Sequence, residues 1–227
     1  MAPESKSSSA ELAAKPYSTP FLSVYDLWVV RLSNSYGWRC DAKEMLALYN
    51  ENLSAKHLEV GPGSGWYLAH GVFPVAKPSV TLLDLNPNSL EFSRKRLGDA
   101  DVTTVTGSVL EPVPADAGDG FGSIGINYVL HCVPGTFAEK GVAFTHLAHA
   151  LADDGVLFGS TVLGRDRPAK NLFGRALMSV YNRVGAFNNR EDDRAGLEAA
   201  LQAAFSHIEL FDIGDVTLFT ARGPRRG

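Results

Sequence analysis

Three glycines at alternate positions are the strongest chemical signal in the sequence. Gly61, Gly63 and Gly65 follow a short apolar run at residues 56–60. Glycine adopts positive φ and lets a ligand approach the backbone, and a helix that begins after such a loop offers free N–H groups. Asp84 ends the next apolar run, 19 residues after Gly65, and a carboxylate there can accept hydrogen bonds from both hydroxyls of a ribose. The spacing therefore predicts a nucleoside site.

Two residues beside the glycines distinguish between kinds of nucleoside. A dinucleotide-binding loop has a small residue where this chain has Trp66, because the following helix packs closely there. Glu59, two residues before the first glycine, would repel a diphosphate. A sulfonium nucleoside with an amino-acid tail tolerates both residues, since a carboxylate near its ammonium group is favourable. An NAD-dependent reductase is therefore disfavoured.

His131 is the candidate general base, because it directly follows the fourth apolar run, where the mouth of a parallel sheet would lie. The alternative is a histidine that is bonded to the backbone or packed against Cys132. His57 begins the first run, at the opposite end of the sheet. The two cysteines have no His and Asp partners in a pattern for nucleophilic catalysis, and no metal-ligand spacing is visible.

Short apolar runs alternate with helical stretches along the chain. Strands are predicted at residues 56–60, 79–85, 101–106, 121–129, 155–162, 206–212 and 215–222. Helices are predicted at residues 88–97, 136–151 and 191–205, the second opening with a capping-box pattern. This order predicts an α/β fold, with a mostly parallel sheet covered on both faces and closed by a C-terminal antiparallel hairpin.

One domain is expected over residues 17–227, after a flexible tail at residues 1–16. Two helical segments lie outside the sheet pattern. Residues 17–44 are rich in aromatic side chains, which either cap the core or form a lid that faces a ligand. Residues 163–190 carry an apolar stripe at helical spacing and form either an extra helix on the sheet edge or a cap over the strand ends.

Composition narrows the class of partner. The chain has 227 residues and a net charge of −4, without a basic stripe, which weighs against nucleic-acid and anionic-membrane partners. Residues 1–20 lack the apolar stretch of a signal peptide, and no apolar run approaches the roughly 18 residues that span a bilayer. A cytoplasmic protein is expected, as a monomer or homodimer.

The glycine loop at residues 59–65 resembles the first motif of the class I S-adenosylmethionine (SAM)-dependent methyltransferases, and Asp84 is similar to the acid that ends that family's second strand. The resemblance continues through residues 106–109, residues 121–131 and the terminal hairpin. It implies a Rossmann-like, doubly wound sheet of seven strands. It also implies SAM as cofactor, S-adenosylhomocysteine (SAH) as product, and a small-molecule acceptor of the kind met in microbial specialised metabolism.

The resemblance also assigns residues to parts of the cofactor. The methionine end would meet Glu59, Gly61 and Gly63; the ribose would meet Asp84, with Leu85 beside the adenine. Ser108 and Val109 would lie near the adenine edge, and Asn127 would contact the cofactor through its backbone. Gly65 is also assigned to the cofactor, and Tyr25 and Trp38 would cover it. Ser108 stands where many relatives have an acid, so its hydrogen bond to the adenine amino group would be weaker.

The expected reaction is in-line displacement of the methyl group onto an O or N atom of a small aromatic or lipophilic molecule. A nucleoside-binding protein of the same fold without methyl transfer is the alternative. The acceptor pocket is expected to be apolar and aromatic, lined by Trp28, Tyr128, His131, Phe173, Leu177, Tyr181 and Phe187. Arg39 is expected either to reach a carboxylate of a ligand or to form a surface ion pair.

Overall fold

The computed structural model describes residues 37–165 and 172–226, with the side chain of Phe173 left aside. Most of the aromatic N-terminal segment, including Tyr25 and Trp28, lies outside these residues. Within them the chain forms a seven-stranded sheet in the order β3-β2-β1-β4-β5-β7-β6. The strands are β1 (Lys56–Val60), β2 (Ser79–Asp84), β3 (Asp101–Thr106), β4 (Phe121–Asn127), β5 (Leu151–Val162), β6 (Phe205–Ile213) and β7 (Val216–Pro224).

Helices and one short 3₁₀ turn, Ala115–Ala117, connect these strands. The helices are α1 (Ala42–Asn52), α2 (Trp66–His70), α3 (Pro87–Arg96), α4 (Phe137–Lys140), α5 (Val142–Ala150), α6 (Leu172–Arg183) and α7 (Arg194–Ala204). The pairs β1–β2, β1–β4, β2–β3 and β4–β5 are parallel, whereas β7 is antiparallel to both β5 and β6. The doubly wound sheet with an antiparallel hairpin is thus confirmed.

Two apolar clusters cover the two faces of the sheet. On one face, Leu58 and Ile124 pack with α4, α5 and α7, which contribute side chains such as Phe144 and Leu201. On the other face, Leu82 and its neighbours pack with α1, α2 and α3. Strands buried on both faces are continuous apolar runs, and such runs allow the strands to be predicted from the sequence.

Two of the predicted boundaries are wrong, and the structure shows a contact with another element at each of them. The helix expected over residues 136–151 is divided into α4 and α5 at Gly141, where α7 comes so close that a Cβ would lie 2.7 Å from the Cβ of Ala200. Strand β5 begins at Leu151 rather than at residue 155, because Leu151 pairs with Phe121 before a register shift. The capping box of Thr136 is present as predicted.

A buried ion pair links two chain segments at the carboxyl edge of the sheet. The Lys140 ammonium group donates to Asp192 Oδ2 at 2.6 Å, and also to the carbonyl oxygens of Leu130 at 2.9 Å and Val133 at 3.2 Å. Both charged side chains are fully buried. The pair therefore joins the loop after β4 to the chain that returns from α6.

Substitution Lys140→Met should lower the free energy of unfolding by about 3 kcal/mol, the usual cost of leaving one buried charge without its partner. The loss is expected because Asp192 Oδ1 already lacks a hydrogen-bond partner among the described residues. Urea denaturation monitored by circular dichroism measures the change. Lys95→Met removes an exposed lysine 3.2 Å from Glu91 and is the matched control, in which the free energy of unfolding should not change. Equal losses in the two variants would contradict a stabilising role of the buried ion pair.

Candidate functional site

The glycine loop lies between β1 and α2, and its backbone requires glycine. Gly61 has φ 64°, and a Cβ there would overlap the Val129 side chain; Gly65 has φ 69°, and a Cβ there would lie 2.9 Å from Ser93 Cβ. On α3, the Ser93 hydroxyl donates to the Gly63 carbonyl oxygen at 3.1 Å, and the Ser89 hydroxyl, whose single proton is shared with Asp84, lies 2.9 Å from the same oxygen. Helix α3 thus fixes the loop.

Asp84 ends β2 next to this loop. Its Oδ1 accepts from the Asn86 N–H at 2.9 Å, and its Oδ2 accepts from the Ser89 hydroxyl at 3.0 Å. Burial raises the pKa of the Asp84 carboxyl, and these hydrogen bonds oppose that rise. The Leu85 N–H also bonds to this carboxyl. Because a carboxylate has about four acceptor positions, acceptor capacity remains for a ligand hydroxyl.

The ends of β2 and β3 form the next wall. Asp84 pairs with Thr106 across the two strands, and the Gly107 N–H donates to the Asp84 carbonyl oxygen at 3.2 Å. The Ser108 hydroxyl accepts from the Leu110 N–H at 3.2 Å, which closes a local turn. Val109 is buried beside it, and Leu85 is half-buried. These residues sit together at the edge where adenine contacts were expected.

Asn127 is the last residue of β4 and carries a buried carboxamide. Neither its Oδ1 nor its Nδ2 has a partner with hydrogen-bond geometry among the described residues, although it lies close enough to the Tyr49 hydroxyl to lower the pKa of that group. Burial nevertheless keeps the pKa of Tyr49 well above its usual value. Burying an unpaired amide is costly, so these two atoms indicate a polar ligand.

Tyr128 follows with φ 57°, a left-handed conformation that is rare for a bulky residue. Its N–H donates to the Ser160 carbonyl oxygen at 3.0 Å, which holds the turn against β5. This turn ends β4 two residues earlier than predicted. Backbone strain of this kind is concentrated at functional sites.

Glu59 lies under the glycine loop with both carboxylate oxygens occupied. The Tyr49 hydroxyl donates to Oε1 at 2.6 Å, and His57 Nε2 lies 2.9 Å from Oε2. Tyr49 belongs to α1 and was absent from the sequence-based site. His57 was placed at the far end of the sheet, but it shares a strand face with Glu59 because the two residues are two positions apart.

Aromatic rings gather where β4 and β5 end. Phe187 contacts three of them, with ring centroids 4.2 Å from His131, 4.9 Å from Tyr181 and 5.9 Å from Trp38. Tyr128 lies 6.0 Å from His131. We call these five residues the mouth cluster; Leu177 on α6 is half-buried beside it. Five residues predicted from sequence to face a ligand therefore lie together.

His131 is buried within the mouth cluster. Its Nδ1 accepts from the Val162 N–H at 3.4 Å, which places the ring proton of the neutral form on Nε2. Burial, and secondarily the nearby Lys140 charge, lowers the pKa of His131 to about 3. The ring is thus neutral at physiological pH. Its role as a general base stays a prediction.

Three further predictions concern Arg39 and the cysteines. Arg39 forms an ion pair with Asp215 at 2.9 Å, so its carboxylate partner belongs to the chain itself. Both cysteines are free thiols. Burial raises the pKa of Cys40 to about 11 and that of Cys132 to about 12. They are therefore protonated at neutral pH, and a thiolate nucleophile is disfavoured.

The chain is similar over most of its length to named methyltransferases. It is 40% identical over 205 residues to demethylluteothin O-methyltransferase of Streptomyces thioluteus, which covers 90% of this chain and 88% of the relative. It is 36% identical to the physcion biosynthesis cluster O-methyltransferase of Aspergillus chevalieri, over 92% of this chain and 94% of that one. The chain belongs to the class I SAM-dependent methyltransferases. No family model matches it.

Solved structures agree with this methyltransferase on the fold. The DhpI–SAH complex superposes with a TM-score of 0.67, covering 96% of this chain and 99% of that one at 18% identity. SAM is the cofactor and SAH the product. The unpaired Asn127 carboxamide, the remaining acceptor capacity of Asp84 and the glycine loop all fit such a ligand. Methyl transfer is favoured over the alternative of a binding protein, since the relatives are named for the reaction.

No helix in residues 37–165 or 172–226 is long and apolar enough to cross a membrane. In the same parts of the chain, no group of three or more His, Cys, Asp or Glu side chains could hold a metal ion.

Substitution Asp84→Asn should weaken SAH binding about 10- to 100-fold, roughly 1.5–3 kcal/mol, which is the range for a hydrogen bond to a charged group. Isothermal titration calorimetry with SAH measures the change. Asp116→Asn removes an exposed carboxylate and serves as the control with unchanged affinity. If Asp84→Asn also binds SAH like the wild type, the ribose contact is misplaced.

Proposed function

We propose that the protein is an O-methyltransferase for a small aromatic or lipophilic hydroxyl compound. The observation that carries this proposal is the mouth cluster, which gathers five ring side chains where β4 ends at Asn127. Both relatives named above are O-methyltransferases that their names associate with small natural products. An apolar, ring-lined pocket suits an acceptor of that class.

The cofactor would be held along the carboxyl edge of β1, β2 and β4. Asp84 would accept from the ribose hydroxyls, while Leu85, Ser108 and Val109 would surround the adenine. Gly61, Gly63 and Gly65 would let the ligand approach the backbone. The methionine end would lie between Glu59 and Asn127. When bound, SAM supplies an electrophilic methyl group on its sulfonium.

The chain's own contribution is chiefly alignment. The acceptor oxygen must lie in line with the methyl group and sulfur, and holding that geometry supplies much of the rate enhancement. Phe187, Tyr181 and Tyr128 would stack against the acceptor and exclude water. Leu177 and Phe173 are proposed to extend this wall from α6, with Tyr25, Trp28 and Trp38 closing it from the N-terminal side.

His131 has two candidate roles at this position. As a base, it would take the proton of the acceptor hydroxyl, as predicted from sequence. As a donor, its Nε2–H would bind the acceptor oxygen and orient it; the acceptor would then react as its oxyanion, its proton having passed to bulk water before it binds. The low pKa and the Val162 contact at Nδ1 favour the donor role, because a ring with a pKa of about 3 takes up a proton only weakly at pH 7.

We also propose that the enzyme is cytoplasmic, that it is a monomer or homodimer, and that it has no nucleic-acid or membrane partner. The net charge of −4 without a basic stripe supports the lack of anionic partners.

Turnover of an acceptor panel tests the function. Purified protein, SAM and each of a set of phenols, hydroxy-quinones, aliphatic alcohols and aromatic amines are incubated, and SAH release is measured together with the mass of the product. Methylation confined to phenolic and other ring hydroxyl groups supports the proposal. SAH binding without methylation of any hydroxyl compound, or methylation of amines alone, would refute it.

His131→Phe should lower turnover by about tenfold or more, with SAH affinity unchanged, since it removes the polar contact to the acceptor. His131→Gln, which keeps an N–H donor, should lose less. Because the lowered pKa keeps the ring neutral well below pH 6, kcat/KM of the wild type should show no inflection from His131 between pH 5 and 8. An inflection near pH 6.5 that both variants abolish would instead establish the base.

A further inference from the structure

A chain of buried polar groups runs beneath the glycine loop, from the amino end of β1 toward its carboxyl end. We call it the Glu59 array: Ser54, Ser123, His57, Glu59 and Tyr49. Its successive contacts are Ser54 Oγ to Ser123 Oγ at 2.9 Å, Ser123 Oγ to His57 Nδ1 at 2.8 Å, His57 Nε2 to Glu59 Oε2 at 2.9 Å, and Tyr49 Oη to Glu59 Oε1 at 2.6 Å. His57 is fully buried. None of this array beyond Glu59 was assigned a role from sequence.

The proton count of the array fixes the role of His57. The Ser123 hydroxyl has one proton and can donate either to His57 Nδ1 or to Ser54 Oγ. In the first case Nδ1 accepts and the ring proton lies on Nε2. In the second, Nδ1 donates to Ser123, and Nε2 needs a second ring proton to donate to an ionised Glu59, which makes the ring an imidazolium. An ionised Glu59 accepts from an Nε2–H in both arrangements.

The array sets the direction of the Glu59 carboxylate. Glu59 pairs with Gly125 on β4, and a Cβ at Gly125 would overlap Oε2, so the carboxylate lies flat over that glycine. Asn127 lies two residues farther along the same face, at the strand end. His57 bonds to Oε2 from the amino side and Tyr49 bonds to Oε1 from α1, so each oxygen keeps a lone pair for a further donor.

We propose that His57 is a positioning residue that fixes the Glu59 carboxylate for the ammonium group of the cofactor's methionine end. The inference rests on the proposed contact between Glu59 and that end. A carboxylate oriented before binding loses less conformational entropy when the ligand arrives. Without the Nε2–H donor, one oxygen of the buried Glu59 carboxylate would lose its protein partner. Both effects act on a ligand that carries an ammonium group.

Two ligands separate this role from a structural one. SAH carries the amino-acid end, whereas 5′-methylthioadenosine keeps the adenosine and the thioether but lacks that end. His57→Phe keeps a ring that can pack on Phe158, now at a centroid distance of 5.9 Å, but removes both nitrogens. It should weaken SAH binding about tenfold and change 5′-methylthioadenosine binding less than twofold, as measured by calorimetry on the full chain.

Further variants make the test specific. His57→Gln keeps an N–H donor and should restore SAH affinity to within about threefold of the wild type. Introducing His57→Phe into Glu59→Gln should weaken SAH binding no further, since the carboxylate that His57 would position is gone. Phe158→Leu loosens the packing around the same ring without removing a hydrogen bond, so it should lower thermal stability and leave the ratio of the two affinities unchanged.

The outcomes are distinct. Equal weakening for both ligands in His57→Phe, or unchanged SAH affinity in a folded His57→Phe, overturns the inference. If His57→Phe does not fold, Ser123→Ala takes its place, because it releases Nδ1 and should weaken SAH binding alone by about threefold; an unselective effect there overturns it equally. A wild-type protein that binds neither ligand would instead defeat the proposed function.

Discussion

Polar groups buried at the carboxyl edge of the sheet without a full set of protein partners are the constraint on which the rest of the structure depends. The strand order places β1 between β2 and β4, and ligands of open parallel sheets bind where connections leave such strands in opposite directions. Asp84 and Asn127 stand on either side of that point. Each carries acceptor or donor capacity that folding leaves open, so part of their desolvation cost is recovered only when the ligand binds.

Keeping such groups in place requires rigid support from buried groups that bond to one another. The Glu59 array supplies it beneath the glycine loop, and the Lys140–Asp192 pair supplies it beside the mouth cluster. The second support continues through Asn189, whose Nδ2 donates to the Val162 carbonyl oxygen at 2.8 Å and whose Oδ1 accepts from Asn182 of α6 at 2.9 Å. A buried ion pair is a poor source of stability compared with apolar packing, which favours a positioning role for it.

Sequence reasoning succeeded where a signal is local. The glycine loop, Asp84, the capping box and five of the seven strands follow from patterns within about ten residues, and their positions agree with the structure to within two residues. It failed where contacts join distant segments. Tyr49 reaches Glu59 from another element, the left-handed Tyr128 shortens β4, and the low pKa of His131 follows from burial that no short motif reveals. The pairing of His57 with Glu59 could have been found, because alternate residues share a strand face.

Different elements are proposed to face the cofactor and the acceptor, and this affects how acceptor specificity can change. In the proposed site, the groups facing the cofactor come from β1, β2, β3 and the loops that follow β1 and β4. In the loop after β1, positive φ at Gly61 and Gly65 and overlap with Val129 or Ser93 forbid most substitutions. The proposed acceptor wall includes α6 and the chain after it, and α6 presents exposed apolar residues such as Leu172 and Val180. Side chains on α6 can therefore vary at little cost to the cofactor site, whereas the segment holding Asn189 and Asp192 cannot, because it fixes where α6 returns to the sheet.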